Sequence, residues 1–183
     1  MGREKFEEME KVFFAVLEKL QERGIGEIIK KHKDLLPRHI IVGEVARVRD
    51  LIISAFDGVE YFIVMSRKGK IVGLIKDTDL IYLLLAGETH YTTFPPMDKL
   101  SIRRERIPID VATQFVAEEV MRKNPILLEE ADLVVDLLHH MRMSRSHAII
   151  VVDEKGKPIA VMDEHTFLKL MKEEMKAELS KFK

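Results

Sequence analysis

Lys76-Asp77-Thr78-Asp79 and Asp163-Glu164-His165-Thr166 are two places where this chain sets ionisable side chains at the start of a helix-like stretch. Asp79 falls in the first turn, where the helix dipole favours a carboxylate, and Asp163 reads as an N-cap. Lys76 reads as a lysine at a strand end, its stem lying along the surface. His139, His140, His147 and His165 carry imidazoles that, when neutral, suit zinc or nickel together with a carboxylate such as Asp163. Adjacent helical residues point about 100 degrees apart, so His139 and His140 diverge, and no His-Glu-x-x-His pattern is present. No metal site is therefore expected. Arg103, Arg104 and Arg106 have the charge to touch phosphates of a nucleotide or of RNA. The aromatic interleaving of a single-strand binder is missing, which predicts a solvated face and no nucleic-acid partner. There is no Gly-x-x-x-x-Gly-Lys loop, Ser-His-Asp order or nucleophile elbow, and Lys68-Gly69-Lys70 predicts only a hairpin turn. No catalytic residues are assigned, and the chain is not expected to be an enzyme.

The elements that must hold these residues are readable from periodicity. Phe6, Met9, Phe13, Val16, Leu17 and Leu20 recur at spacings of three and four, which predicts a helix over 3–22, ended by Gly24 and Gly26. Ile28 and Ile29 mark a short helix that stops near Pro37, and Ile40-Ile41-Val42 a strand. Val45, Val48, Ile52, Ala55 and Phe56 define another helix. Strands at 61–65 and 71–75 flank a tight turn, and a helix over 77–87 follows. Residues 88–114 contain Thr92, Thr93, Pro95, Pro96 and the arginine run, the marks of a linker. Beyond it come a short helix at 118–121, a short strand at 125–128 and a helix marked by Leu133, Val134, Leu137, Leu138 and Met141. A second hairpin turning at Lys155-Gly156 leads into a last helix carrying Phe167, Met171, Met175 and Leu179. That helix is longer than its counterpart, so its tail is expected to be exposed or bound to a partner. Its methionines, with Met162, are core filler at this spacing.

The order repeats. Gly69 and Gly156 are 87 residues apart (156 − 69), as are Gly73 and Ala160 (160 − 73). Each half reads strand–helix–strand–strand–helix, a unit too small to be comfortable alone, so the two are expected to share a core.

Composition bounds the rest. The chain has 183 residues, 46% hydrophobic and 33% charged, with 30 basic against 31 acidic side chains and a formal net charge of −1. That balance exerts no long-range pull on nucleic acid or anionic lipid. Cysteine is absent, which excludes disulfides and thiolate zinc sites. The charged N-terminus is no signal-peptide core, and no apolar run approaches the roughly 20 residues of a membrane span, so a soluble cytoplasmic protein is expected. High charge with neither cysteine nor tryptophan also fits a thermophile.

The layout resembles a tandem pair of CBS domains, the regulatory modules named after cystathionine beta-synthase, over roughly residues 26–172. The resemblance is carried by Val151–Val161, a strand, Asp153, a Gly156-Lys157 turn and a second strand; by Val120–Ile126, which leads the second repeat; and by Gly73-Leu74-Ile75-Lys76-Asp77-Thr78-Asp79-Leu80, similar to the signature Gly-h-h-(Ser/Thr)-x-x-Asp-(Leu/Ile), h being hydrophobic. It implies an α/β (α+β) fold: two strand–helix–strand–strand–helix repeats packed as a pair, with an extra N-terminal helix and an extended C-terminal helix. The boundaries are an N-terminal helix over 1–25, repeat 1 over 26–88, a linker over 89–114, repeat 2 over 115–172 and a helical extension over 173–183.

It further implies two clefts for adenosine-containing ligands such as AMP, ATP or S-adenosylmethionine, bound as regulators with no cofactor required. In the family the signature Asp holds the ribose hydroxyls and the Ser/Thr lies near phosphate, at the positive end of the next helix. In the first repeat these positions are Asp79 and Lys76, with Thr78 between them. His39 and Ile40 match the first strand of that cleft and Tyr61 and Phe62 its second; Ile40, Tyr61 and Phe62 are candidates to flank adenine, core packing being the alternative. In the second repeat the positions are Asp163 and Thr166, with His147 a further candidate. The swap removes the ribose carboxylate and sets a negative charge where phosphate would lie, so at most one cleft is competent. The expected function is a stand-alone regulatory module, homodimeric, signalling to another protein chain. The alternative is a dimerisation scaffold that needs no ligand.

Overall fold

The computed structural model describes residues 3–85, 109–144 and 148–180. Most of the 89–114 linker, including Arg103, Arg104 and Arg106, lies outside these residues, as does His147. Among the described residues, helices α1 (Arg3–Gln21) and α2 (Ile25–Lys31) precede β1 (His39–Gly43), α3 (Val48–Phe56), β2 (Tyr61–Met65), β3 (Ile71–Lys76) and α4 (Asp77–Leu85). Then come α5 (Ile109–Ala112), α6 (Ala117–Val120), β4 (Arg122–Lys123), β5 (Leu127–Glu129), α7 (Val134–Ser144), β6 (Ala148–Val152), β7 (Pro158–Asp163) and α8 (Glu164–Leu179). The strand–helix–strand–strand–helix order occurs twice, as β1-α3-β2-β3-α4 and β5-α7-β6-β7-α8, so the mixed α/β fold expected from the repeat is present. No described helix is long and apolar enough to cross a membrane.

The chain folds as two compact units, residues 38–125 in one and residues 1–37 with 126–183 in the other. In the 38–125 unit the sheet order is β1-β2-β3-β4. β1 runs parallel to β2, as a helical crossover requires, while β2–β3 and β3–β4 are antiparallel. Strand β2 is buried on both faces, which is why Tyr61–Val64 is a continuous apolar run. One face, with Phe62, Val64 and Ile75, packs into a core with Val48 and Leu51 of α3 and Leu80 and Leu83 of α4.

The other unit repeats this plan with β5 parallel to β6 and β6 antiparallel to β7. Its core holds Ile149, Val151, Ala160 and Met162 of the sheet with Val12, Val16 and Leu20 of α1, Ile25 and Ile28 of α2 and Leu170 of α8. The correspondence reaches fine detail. Both hairpins shift register at equivalent points, between Val64 and Met65 and between Val151 and Val152. Both turn on a glycine with positive φ, Gly69 at 74° and Gly156 at 73°, where a side chain is strained.

The helix leading each repeat packs with the unit of the other. Ile25 and Gly26 donate their amides to the carbonyls of Asp132 and Glu130, both at 2.8 Å, fastening α2 beside α7. Val48 donates to Phe115 O and Ala117 to Ala46 O, again at 2.8 Å, fastening α6 beside α3.

The tail of α8 is held by its own chain: Met175 and Leu179 pack against the core, and Lys19 Nζ bonds Glu178 at 2.8 Å. One carboxylate anchors this face. Glu174 Oε1 lies 2.5 Å from Lys31 Nζ, 2.6 Å from His32 Nε2 and 3.5 Å from Arg23 Nη1. Burial pushes the Glu174 carboxyl up, but hydrogen bonds from Lys31 and His32 and the charges of Lys31 and Arg23 outweigh it and hold the group below its ordinary value. A depressed carboxyl contributes stability that is present above the unfolded pKa and lost as pH falls through the folded one. Glu174→Gln is therefore expected to cost about 1–2 kcal/mol near neutrality. The gap between variant and wild type should close below roughly pH 4, as denaturant melts across pH would report. A gap that persists in acid would assign the loss to packing.

Candidate ligand site at the start of helix α4

The end of the 38–125 sheet that leads into α4 gathers most of the sequence-predicted residues. Backbone register aligns His39 with Tyr61 and Tyr61 with Lys76, so these three form one row across β1, β2 and β3. Side chains in register share a face. Lys76 Nζ sits 5.4 Å from the centre of the Tyr61 ring, a cation–π distance, and Tyr61 is fully buried. The adjacent row, Ile40–Phe62–Ile75, points to the opposite face. Phe62 lies in the core with no exposure and Ile40 packs against that core, so these two do not join Tyr61 on one surface.

Asp79 is the chemical centre of this end. It is buried, at 8% exposure, in the first turn of α4. Its Oδ2 accepts the amide hydrogen of Lys76 at 3.1 Å. That reach back over three residues is an ordinary helix-start device, made also by Glu119 to the Val116 amide at α6 and by Asp136 to the Leu133 amide at α7. Two things separate Asp79 from those exposed carboxylates: its burial and its second partner. Oδ1 of Asp79 accepts from Arg122 Nη2 at 2.7 Å. Arg122, half exposed, stands on β4, where it is registered against Leu74 of β3. Thr78 is exposed, and its amide donates to Asp77 Oδ1 at 2.6 Å.

Sequence reasoning placed Arg122 only within the segment leading repeat 2 and assigned it no role. Its partner is 43 residues earlier, across the linker. The signal that could have found it is Gly73: a Cβ there would meet Met121 Cγ at 2.6 Å and Met121 Cβ at 2.9 Å. Glycine lets the Met121 side chain lie over β3, and Arg122 follows directly.

The corresponding end of the other unit is built differently. Asp163 and Thr166 are both buried, and Asp163 Oδ1 accepts the Thr166 amide at 2.7 Å. Asp163 thus caps α8, which is the same two positions as Lys76 and Asp79 with the direction of the hydrogen bond reversed. Ala148 is registered against Asp163 where Tyr61 faces Lys76. His139 and His140 stack edge to face with ring centres 5.8 Å apart, and among the described residues no group of three or more His, Asp or Glu side chains has the arrangement of a metal site.

Two hollows open in the 38–125 unit, and neither is lined by Asp79 or Lys76. One, of about 270 Å³, lies at the far end of β1 and β2 between Ile41, Val45, Met65 and Arg67. The other, of about 450 Å³, is lined by Arg47, Arg49, Asp110, Thr113 and Gln114. At the Asp79 end the Arg122 guanidinium occupies the carboxylate.

A family model described as CBS domain matches residues 116–173. Among solved structures, a hemolysin-like protein containing a CBS domain from Oenococcus oeni PSU is 14% identical, with a TM-score of 0.57 over 87% of this chain and 97% of that one. A CBS domain protein from Pyrobaculum aerophilum complexed with AMP is 15% identical, with a TM-score of 0.52 over 82% and 99%. The CBS domain of a bacterial CNNM/CorC family Mg2+ transporter in complex with ATP is 18% identical, with a TM-score of 0.59 over 91% and 96%. These likenesses establish a shared fold. Among curated proteins none matches.

Proposed function

We propose that this chain, a CBS-domain protein, is a regulatory module that binds an adenosine-containing ligand at the Asp79 end of the 38–125 unit and passes the change to a partner protein. The observation that carries the reading is the buried carboxylate of Asp79 at the start of α4, beside Lys76 and Tyr61. A buried carboxylate is a strong acceptor for a diol, and the N-terminal end of α4 with Lys76 favours a phosphate. The AMP and ATP complexes of proteins with this fold support the ligand class. In the other unit the position equivalent to Asp79 is Thr166, which offers a diol no carboxylate, and this favours the Asp79 end as the working site. A ligand of this kind acts only through different affinities for two conformations.

A thermal-shift panel of AMP, ATP, adenosine and S-adenosylmethionine tests this. At 100 times the dissociation constant a ligand stabilises by about 2.7 kcal/mol, a rise of roughly 5–10 °C for a chain of this size. Asp79→Asn keeps an acceptor for the Lys76 amide, so the fold should hold while the shift disappears. An equal shift in the variant would place the ligand elsewhere.

A specific observation also favours the scaffold reading. Ile53 and Phe56 of α3 and Ile81 and Tyr82 of α4 are exposed, Phe56 at 85%. Met143 and Leu168, each 87 residues after Phe56 and Ile81, are exposed as well (143 − 56, 168 − 81). Apolar positions repeated on equivalent helices fit a homodimer face. No melting response to any of the four compounds, with a dimer that Phe56→Glu dissociates in sedimentation, would support this reading over the first.

A further inference from the structure

We infer that Arg122 is a built-in counter-ion that makes the Asp79 site select phosphorylated nucleosides over neutral or cationic ones. This rests on the reading of Asp79 as the ribose acceptor. Asp79 has one oxygen on the Lys76 amide and the other on Arg122, 2.7 Å away. A ribose diol must take the oxygen that Arg122 holds. A neutral nucleoside offers hydroxyl donors to Asp79 but nothing to the guanidinium it displaces, so it exchanges a charged pair for an uncharged one. A nucleoside monophosphate makes a balanced exchange: diol for guanidinium on Asp79, and phosphate for carboxylate on Arg122. Arginine matches phosphate with two parallel donors, and the second cation, Lys76, stands at the end of the neighbouring strand.

The placement suits the exchange. Asp79 is fixed by burial, whereas Arg122 is 46% exposed and has room to re-aim its head. Its backbone is held at β4, paired with Leu74, and Met121 is locked over Gly73, so only the side chain needs to move. A sulfonium ligand such as S-adenosylmethionine brings net positive charge toward Arg122 and Lys76, its single carboxylate being outnumbered by the sulfonium and the ammonium. The other first-turn carboxylate, Asp77, accepts the Thr78 amide and does not replace it.

Titration calorimetry with AMP and with adenosine, at one fixed ionic strength, on wild type, Arg122→Gln and Arg122→Lys tests the inference. Wild type is expected to bind AMP at least about 10-fold more tightly than adenosine. Arg122→Gln should weaken AMP by about 10- to 100-fold, leave adenosine unchanged or tighter, and bring the ratio toward one. Arg122→Lys should retain part of the preference. Melting curves of each variant confirm that it is folded. An AMP-to-adenosine ratio unchanged in Arg122→Gln overturns the role of Arg122 and leaves the site itself standing. Binding of neither compound to wild type overturns the site, and the inference with it.

Discussion

Phe62→Ala is expected to lower stability by about 3–5 kcal/mol, because it removes a fully buried ring from the core of the 38–125 unit. The cavity would lie among Val48, Leu51, Ile75 and Leu80, contributed by two helices and one strand that cannot all close in. Denaturant unfolding followed by a backbone signal measures the loss. The result separates two roles. A ring that flanked adenine would cost affinity and little stability; a core ring costs stability and leaves the affinity of the folded protein unchanged. A loss under about 1 kcal/mol, with weakened nucleotide binding, would contradict the placement of Phe62.

Gly73→Ala is expected to cost about 1–3 kcal/mol, although it adds one methyl to a strand that would otherwise welcome it. The new Cβ would collide with the Cβ, Cγ and Sδ of Met121, and Met121 precedes the strand that pairs with β3. The penalty should therefore depend on Met121. In a Met121→Ala background part of the collision is gone, so Gly73→Ala should be cheaper there, with a coupling of about 1 kcal/mol or more. Additivity within about 0.5 kcal/mol would show that the two residues do not meet. Because Gly73, Met121 and Arg122 form one chain of placement, Gly73→Ala is also expected to disturb the Arg122–Asp79 pair.

Much of this fold was legible because local signals agree with one another. Gly69 and Gly156 sit where a positive φ is needed, and the flanking apolar runs have strand length. The 87-residue offset then reproduces even the register shift within each hairpin. What the sequence hid is of two kinds. Tyr61–Val64 is apolar without alternation, so no pattern told Phe62, on the core face, from Tyr61, on the face that Lys76 shares. The other hidden features are long-range. Nothing local in Ile25–Lys31 says that it packs beside α7, and nothing in Arg122 names an aspartate 43 residues back as its partner. Asp163 was readable as a cap because capping is a local bond over three residues; Asp79 makes such a bond too, but its second partner comes from beyond the linker.

Everything proposed for Asp79 and Arg122 requires that a phosphorylated adenosine compound bind at the start of α4. Titrating AMP into isotope-labelled protein while following backbone amide and arginine side-chain resonances tests it most directly. Saturable shifts are expected at His39, Tyr61, Gly73 to Asp79 and Arg122, including the Arg122 guanidinium as it leaves Asp79, with Asp163 to Thr166 unmoved. Shifts confined to Asp163 to Thr166, or none at millimolar AMP, would contradict it.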